Sequence, residues 1–268
     1  MLRNGASSGS HSLGLRRIAA DLFGIELWER FSFYGMQALL AFYMYYATTE
    51  GGLGIDRSTA LSLVGAYGGF VYMMALVASF VGDRLLGPER TLYYSAILVM
   101  IGHVMLAFVP GAVGLAIGLV CVGIGSGGVK TATQVVLGDL YTREDPRRDA
   151  GFSIFYMSVN IGGLLGPWLT GLVWGQAGFH WGFGLAAIGM AIGLVQYTVM
   201  RKSTIGAAGS EVPNPLPRSE WAKWGLGVAG IALVMVSLLT TGILPLDWLS
   251  WVVFAVALVA TVVLLSEM

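Results

Sequence analysis

Long apolar stretches alternate with short polar stretches along this chain. A membrane-spanning helix needs about 20 mostly apolar residues, and eight segments of the sequence have that character. These segments run at 21–46, 58–85, 91–109, 113–138, 151–174, 181–200, 222–243 and 247–266. None of them has the strict alternation of a membrane β-strand. The pattern therefore predicts an all-α membrane protein with eight spans.

The composition agrees with a membrane protein and argues against several other classes. Of the 268 residues, 56% are hydrophobic and 11% are charged, whereas a soluble domain has about 25% charged residues. The net charge is zero, so nothing favours a nucleic-acid partner. The sequence has neither a metal-ligand spacing nor a nucleophile–base pairing. We therefore expect no metal, no cofactor and no enzymatic activity.

The basic residues predict the orientation of the spans. Twelve of the 15 Lys and Arg residues fall on one side of the predicted membrane, and only Arg57 falls in a loop on the other side. The positive-inside rule then places both termini in the cytoplasm, with the spans crossing the inner (cytoplasmic) membrane. The two remaining basic residues, Arg30 and Lys130, lie inside spans.

A polar stretch with three prolines separates the first six spans from the last two. Proline favours extended chain over helix, so residues 203–221 are predicted to be a cytoplasmic linker. The predicted domains are a six-helix transmembrane bundle at 1–202, this linker, and an additional helix pair at 222–268.

The first span carries the densest set of polar residues. Glu26, Glu29 and Arg30 are spaced i, i+3 and i+4, so they share one helical face. Tyr34 and Gln37 extend this stripe. Ionisable groups cost about 2.5–3.5 kcal/mol each near the centre of a bilayer. We therefore expect the stripe to face protein or a water-filled cavity.

Two interpretations of this stripe are open. The first is a buried salt bridge that only holds helices together. The second is a proton relay, in which a buried carboxylate beside Arg30 switches between a charged, paired state and a neutral, unpaired state. Ionisable residues inside a membrane mark function by default, which favours the relay.

Polar residues of later spans add weaker signals. Lys130 lies late in span four and either reaches the interior or extends its ammonium to the cytoplasmic surface. Asn160 in span five is a buried amide that an interhelical hydrogen bond would satisfy. Asp83 and Arg84 follow span two; they are ordinary for a cytoplasmic turn, or they could latch helix ends together during a conformational change.

Three motifs resemble those of the proton-dependent oligopeptide transporter (POT/PTR) family of the major facilitator superfamily. The first-helix pattern ExxERFxYYG matches Glu26 through Gly35. The loop pattern GDRxxG matches Gly82 through Gly87, and the fifth-helix pattern FYxxxNxGxxxGP matches Phe155 through Pro167. Their order and spacing across about 140 residues are not expected by chance.

The resemblance implies a fold and a set of roles. The first six spans would be the N-terminal six-helix bundle of a major facilitator, and the last two would be the extra helix pair of bacterial members. The implied proton-coupling residues are Glu26, Glu29, Arg30 and Lys130. The implied residues of the cavity for di- and tripeptides are Tyr34, Gln37, Tyr72, Lys130 and Asn160. The implied conformational latch is formed by Asp83 and Arg84.

The chain also departs from the family pattern. Phe33 replaces the first tyrosine of the YYG triplet, and Gln37 stands where many members have an arginine that receives the peptide carboxylate. Thr131 and Ala132 replace the usual Pro-Asn after the lysine. These changes are expected to affect carboxylate recognition and substrate range.

The length raises a separate expectation about partners. A transporter of this family needs a second six-helix bundle, and the chain ends just after the extra pair. We expect it to be half of a peptide–proton symporter whose partners are peptides, protons, membrane lipid and a C-terminal bundle. A non-transporting or regulatory subunit derived from such a transporter is the alternative, and a carrier of other anions could use the same fold.

Overall fold

The computed structural model describes residues 5–141 and 144–220, together with the isolated residues Ala222, Leu226 and Ala255; within the first range, side chains are described from Asp21 onward. The helix pair predicted at 222–243 and 247–266 lies outside the described residues, apart from those three single positions.

Six long helices make up the described part of the chain. They are α1 (Gly5–Tyr45), α2 (Arg57–Val81), α3 (Pro88–Phe108), α4 (Gly111–Asp139), α5 (Arg148–Ala177) and α6 (Phe179–Thr204). Each of the first six predicted spans coincides with one helix to within a few residues, except that α1 begins well before its span. The described residues contain no β-strand, so the prediction of an all-α fold is confirmed.

Five of these helices, α2 to α6, are long and apolar enough to cross a membrane. The helix α2 reaches this length together with the π-helical turn Gly82–Leu86 that follows it. Helix α1 is not among the five, because its predicted span contains the polar stripe. Its burial by neighbouring helices compensates for that polarity.

Helix α1 runs through the middle of the bundle. It packs along α5 and α6 and also contacts α2, α3 and α4. A Cβ atom added at Gly166 of α5 would lie 2.3 Å from the carbonyl oxygen of Phe31, and one added at Gly193 of α6 would lie 2.7 Å from the Cβ of Trp28. Glycine thus allows the close backbone approach that holds membrane helices together.

Two hydrophobic clusters fill the bundle at different levels along α1. The first contains Leu22 and Ile25, and the second begins at Phe33 and continues through Met36 to Met44. Residues 26–32 lie between these two clusters. The polar residues of α1 therefore occupy a layer of their own, enclosed by apolar side chains above and below.

One end of the bundle contains the α1–α2, α3–α4 and α5–α6 connections. Asp56 caps α2 by accepting hydrogen bonds from the backbone N–H of Ser58 at 2.9 Å and of Thr59 at 3.2 Å, and from the Ser58 hydroxyl. The bond from the Ser58 hydroxyl, followed by the backbone bonds, holds the pKa of Asp56 below its usual range. The cap thus favours an ionised carboxylate at the N-terminus of α2.

The opposite end contains the α2–α3 and α4–α5 connections and the C-terminus of α6, and we call it the arginine end. Arg201 of α6 pairs with Glu89 of α3 at 2.8 Å, and its guanidinium carbon lies 3.7 Å from the centroid of the Tyr93 ring. Thr204 donates a hydrogen bond to the buried carboxylate of Asp21 at 2.7 Å. These contacts join the C-terminal end of α6 to α1 and to the start of α3.

Candidate functional site

Glu26, Glu29 and Arg30 form a buried charged cluster in the polar layer of α1. Their side chains are buried, with residue exposures of 2%, 0% and 6%. The Nε atom of Arg30 lies 3.0 Å from Oε1 of Glu26 and 2.7 Å from Oε2 of Glu29. The i, i+4 and i, i+1 positions on one helix thus bring both carboxylates to the same guanidinium nitrogen.

The cluster is not fully satisfied by its own members. Nε offers one hydrogen to two carboxylates, and neither short contact has the geometry of a hydrogen bond. Among the described residues, Oε2 of Glu26 and Nη2 of Arg30 are buried without a hydrogen-bond partner. With two carboxylates and one guanidinium, the cluster holds one acidic group whose charge Arg30 does not balance.

Helix α4 supplies hydroxyl groups to this cluster. Ser126 donates a hydrogen bond to Oε1 of Glu29, and Thr133 lies beside the carboxylate of Glu26. Neither residue stood out in the sequence, because hydroxyl residues are common in membrane helices and only the α1–α4 contact selects these two. The glycines around Ser126 were the available signal, since they permit a close helix contact there.

Aromatic rings close one side of the charged cluster. The guanidinium carbon of Arg30 lies 5.7 Å from the centroid of the Phe33 ring. Phe33 in turn stacks on the buried ring of Tyr67, with centroids 6.4 Å apart. Phe33, which stands where the resembled family pattern has a tyrosine, therefore contributes an aromatic face and no hydroxyl at this point.

Lys130 of α4 lies between the charged cluster and the surface. Its Nζ atom is 4.3 Å from the centroid of the Tyr72 ring of α2, and it is close enough to Glu29 to interact electrostatically. Helix α4 continues to Asp139, about 13 Å farther along the axis at 1.5 Å per residue. Lys130 therefore lies well inside the helix and not at its end, and its ammonium contacts an aromatic ring.

The remaining predicted cavity residues, which we call the exposed polar face, are half-buried or exposed in the described bundle. Tyr34 is exposed. Its ring lies 3.4 Å from the point where a Cβ atom added to Gly163 of α5 would be. Tyr72 is 66% exposed, and Gln37 is half-buried. Tyr34 also interacts with the guanidinium of Arg30, so it links this face to the buried cluster.

Within the part of the chain that the structure describes, Asn160 does not make the interhelical hydrogen bond that would satisfy a buried amide. It is exposed, and its Nδ2 donates to the carbonyl oxygen of Tyr156 on its own helix at 2.8 Å. It lines a shallow pocket of about 420 Å³ on α5. The other residues lining that pocket are Ser153, Tyr156, Met157, Ile161 and Leu164. Asn160 is thus available on an open surface.

Asp83 and Arg84 lie on the turn Gly82–Gly87, which we call the latch turn. The turn is π-helical over Gly82–Leu86 and ends at Gly87, whose φ of 83° lies in the left-handed region that favours glycine. It lies at the arginine end, in the α2–α3 connection. The predicted site residues therefore fall into three groups: a buried charged cluster, an exposed polar face and the latch turn.

Comparison with known proteins finds relatives that are called transporters. A family model described as PTR2, POT family, matches residues 89–211. The Bacillus subtilis (strain 168) protein called uncharacterized transporter YclF is 44% identical over 225 residues, which are 84% of this chain and 46% of that protein. A di-/tripeptide transporter of Lactococcus lactis subsp. cremoris is 41% identical over 205 residues, which are 76% of this chain and 41% of that protein.

A solved structure agrees with these sequence matches. The crystal structure of a peptide transporter POT in complex with sulfate has a TM-score of 0.81 and 40% identity, covering 86% of this chain and 48% of that one. The chain spans about half of the length of the relatives that it matches. With the motifs, the helical bundle and these matches in agreement, the chain belongs to the POT family of membrane transporters.

Proposed function

We propose that this bundle is the N-terminal half of a proton-coupled symporter of di- and tripeptides. The observation that carries the proposal is the buried cluster in which Arg30 faces both Glu26 and Glu29. Similarity to a di-/tripeptide transporter supports peptides as the substrate class. The basic residues of the sequence support insertion in the cytoplasmic membrane with the arginine end facing the cytoplasm.

Glu29 is the proposed centre of the proton coupling. Its carboxylate pairs with Arg30, accepts a hydrogen bond from Ser126 and interacts electrostatically with Lys130. A proton on Glu29 would remove its charge, so Arg30 would be held by Glu26 alone and Lys130 would lose an acidic neighbour. Protonation would therefore weaken the link between α1 and α4 and leave Lys130 free for another anion.

That anion would be the carboxylate of a bound peptide. Lys130 already lies against Tyr72 at the exposed face, so small changes in its side-chain torsions would bring the ammonium to a ligand there. Tyr34 and Asn160, which are both exposed, offer a hydroxyl and an amide, which suit the polar backbone of a short peptide. Gln37 would provide a neutral donor in place of a second cation.

The exposed polar face also supports a second bundle as partner. Polar and charged groups within a bilayer face protein or a water-filled cavity, whereas Tyr72 and Asn160 are exposed in the described bundle. A second six-helix bundle, supplied by a longer chain or by a separate one, would cover this face and enclose the cavity. Alternating access would then rock one bundle against the other around the site, with the latch turn holding one of the end states.

Reconstitution tests this function. The chain is placed in liposomes alone and together with the second bundle of the Lactococcus lactis di-/tripeptide transporter, and uptake of radiolabelled dialanine is measured under an imposed proton gradient. We expect gradient-driven accumulation only when both bundles are present. Accumulation by the chain alone would contradict the need for a second bundle. Absence of uptake in both samples, with the second bundle stably bound, would favour a non-transporting subunit.

A further inference from the structure

The segment that follows α6 turns back and packs on the bundle. Ile205 and Leu216 are both buried, and Ile205 belongs to the hydrophobic cluster around Leu22 and Ile25. The residues between them are mostly half-buried or exposed. Two buried apolar anchors thus hold the ends of a segment that its prolines would otherwise keep extended and free. We call residues 205–216 the strap.

The first part of the strap contacts the start of α3. The backbone N–H of Glu89 donates to the carbonyl oxygen of Gly209 at 2.9 Å. The first N–H groups of a helix have no partner within the helix, so this bond satisfies a group that α3 leaves open. The side chain of the same Glu89 holds Arg201 at 2.8 Å. Glu89 therefore fixes both the end of α6 and the strap that follows it.

The second part of the strap pairs with the latch turn. The backbone N–H of Asn214 donates to the carbonyl oxygen of Asp83, and that of Leu216 donates to the carbonyl oxygen of Arg84, each at 2.9 Å. These carbonyls lie near the C-terminal end of the α2 helix, where helices leave acceptors open. The strap thus satisfies backbone groups on both sides of the α2–α3 connection.

Gly87 shows how closely the strap fits the turn. A Cβ atom at Gly87 would lie 3.0–3.2 Å from three consecutive carbonyl oxygens of the strap, those of residues 209–211. Because these are backbone atoms, they could move only with the strap itself. The close approach and the left-handed φ of Gly87 therefore both require glycine at this position.

We propose that the strap couples the latch turn to the part of the chain that follows the strap, beyond Leu216. The carbonyl groups of Asp83 and Arg84 are bound to the strap through main-chain bonds, so the turn shifts only when the strap moves with it or releases it. A displacement of the chain beyond Leu216 would reach the turn through these bonds. This inference concerns a conformational connection and does not depend on peptide transport or proton coupling.

Hydrogen exchange on the full chain in lipid nanodiscs tests the strap. In the unsubstituted protein, the amides of Asn214, Leu216 and Glu89 are expected to exchange more slowly than the same amides in an unstructured peptide. Asn214→Pro removes one donor, whereas Asn214→Ala keeps it. Asn214→Pro should speed exchange at Leu216, Glu89 and Gly87 by about fivefold or more, and Asn214→Ala should leave these rates unchanged.

The exchange rate at Gly87 tests whether the strap is coupled to the latch turn. The backbone N–H of Gly87 donates a hydrogen bond within that turn, to the carbonyl oxygen of Gly82 at 3.1 Å. Exchange at Asn214 and Leu216 as fast as in an unstructured peptide, in the unsubstituted protein, would contradict the hydrogen bonds between the strap and the latch turn. Faster exchange at Leu216 with an unchanged rate at Gly87 would overturn the coupling. If Asn214→Pro does not fold, Leu216→Ser is the second variant, because it keeps every backbone donor while weakening a buried anchor. It should likewise speed exchange at Gly87 and Glu89.

Discussion

The Nε atom of Arg30 lies 2.7 Å from Oε2 of Glu29, and both side chains are buried in the centre of the bundle. The other oxygen of Glu29 accepts a hydrogen bond from Ser126 on α4. One carboxylate therefore connects a cation on its own helix to a hydroxyl on a neighbouring helix. A proton arriving at this carboxylate would act on both connections at once, which is the property that a coupling site requires.

Removal of Arg30 should destabilise the bundle strongly. Arg30→Ala leaves Glu26 and Glu29 buried without their cation. Removing one partner of a buried ion pair lowers the free energy of unfolding by about 3–5 kcal/mol. The measurement is the free energy of unfolding in mixed micelles. Arg57→Ala is the matched control, because Arg57 is exposed and its guanidinium carbon lies 5.5 Å from the centroid of the Tyr45 ring; its loss should cost less than about 1 kcal/mol. Equal effects of the two substitutions would contradict the buried cluster.

The α1–α5 contact should be sensitive to one methyl group at Gly166. A Cβ there would meet the carbonyl oxygen of Phe31 at 2.3 Å, and α1 would have to move. Gly166→Ala should therefore lower the free energy of unfolding by about 1–3 kcal/mol. Among the described residues, no atom lies within 4 Å of the point where a Cβ on Gly171, also on α5, would be, so Gly171→Ala should have little effect. A destabilisation by Gly171→Ala as large as that by Gly166→Ala would refute this packing.

The contact between Lys130 and Tyr72 should be measurable as a coupling energy. A double-mutant cycle with Tyr72→Leu and Lys130→Met on the free energy of unfolding should give about 0.5–1 kcal/mol, the range for a partly exposed cation–π pair. A cycle with Tyr72→Phe in place of Tyr72→Leu should give almost none, since phenylalanine keeps the ring. A coupling energy of zero in the first cycle would mean that Lys130 does not rest on Tyr72.

Labelling should report the two ends of the bundle on opposite sides of the membrane. Gly51 lies in the α1–α2 connection and Asp145 in the α4–α5 connection, which are separated by an odd number of helices. In a Cys121→Ala background, Gly51→Cys should react with a membrane-impermeant maleimide in intact cells. Asp145→Cys should react only after the cells are opened. Reaction of both cysteines in intact cells would rule out the proposed orientation.

The sequence predicted the helices and the charged cluster more completely than their surroundings. Hydropathy locates spans because each needs a long apolar run, and the spacing of Glu26, Glu29 and Arg30 places them on one face whatever the tertiary structure. The partner Ser126 was not predicted, because it depends on which face of α4 meets α1. The exposure of Asn160 was not predicted either, since periodicity does not tell an interhelical face from an open one.

The strap was missed for a related reason. The prolines at 213, 215 and 217 predicted an extended linker, and the chain there is indeed not helical. Its backbone bonds to Asp83 and Arg84 leave no trace in the side-chain pattern, because main-chain donors are the same at every residue except proline. Only the buried positions of Ile205 and Leu216 distinguish it from a free linker, and burial is a property of the folded chain.

The most direct test of proton coupling compares two activities of one variant, Glu29→Gln, in a transporter that contains this bundle and a second one. Glutamine resembles a permanently protonated glutamate, so accumulation of dialanine against its gradient should fall to equilibration in liposomes with an imposed proton gradient. Exchange of labelled for unlabelled dialanine should persist, because the exposed polar face is unchanged. Glu50→Gln, at an exposed position, should keep both activities. Accumulation by Glu29→Gln that still follows the proton gradient as the unsubstituted protein does would contradict Glu29 as the coupling residue.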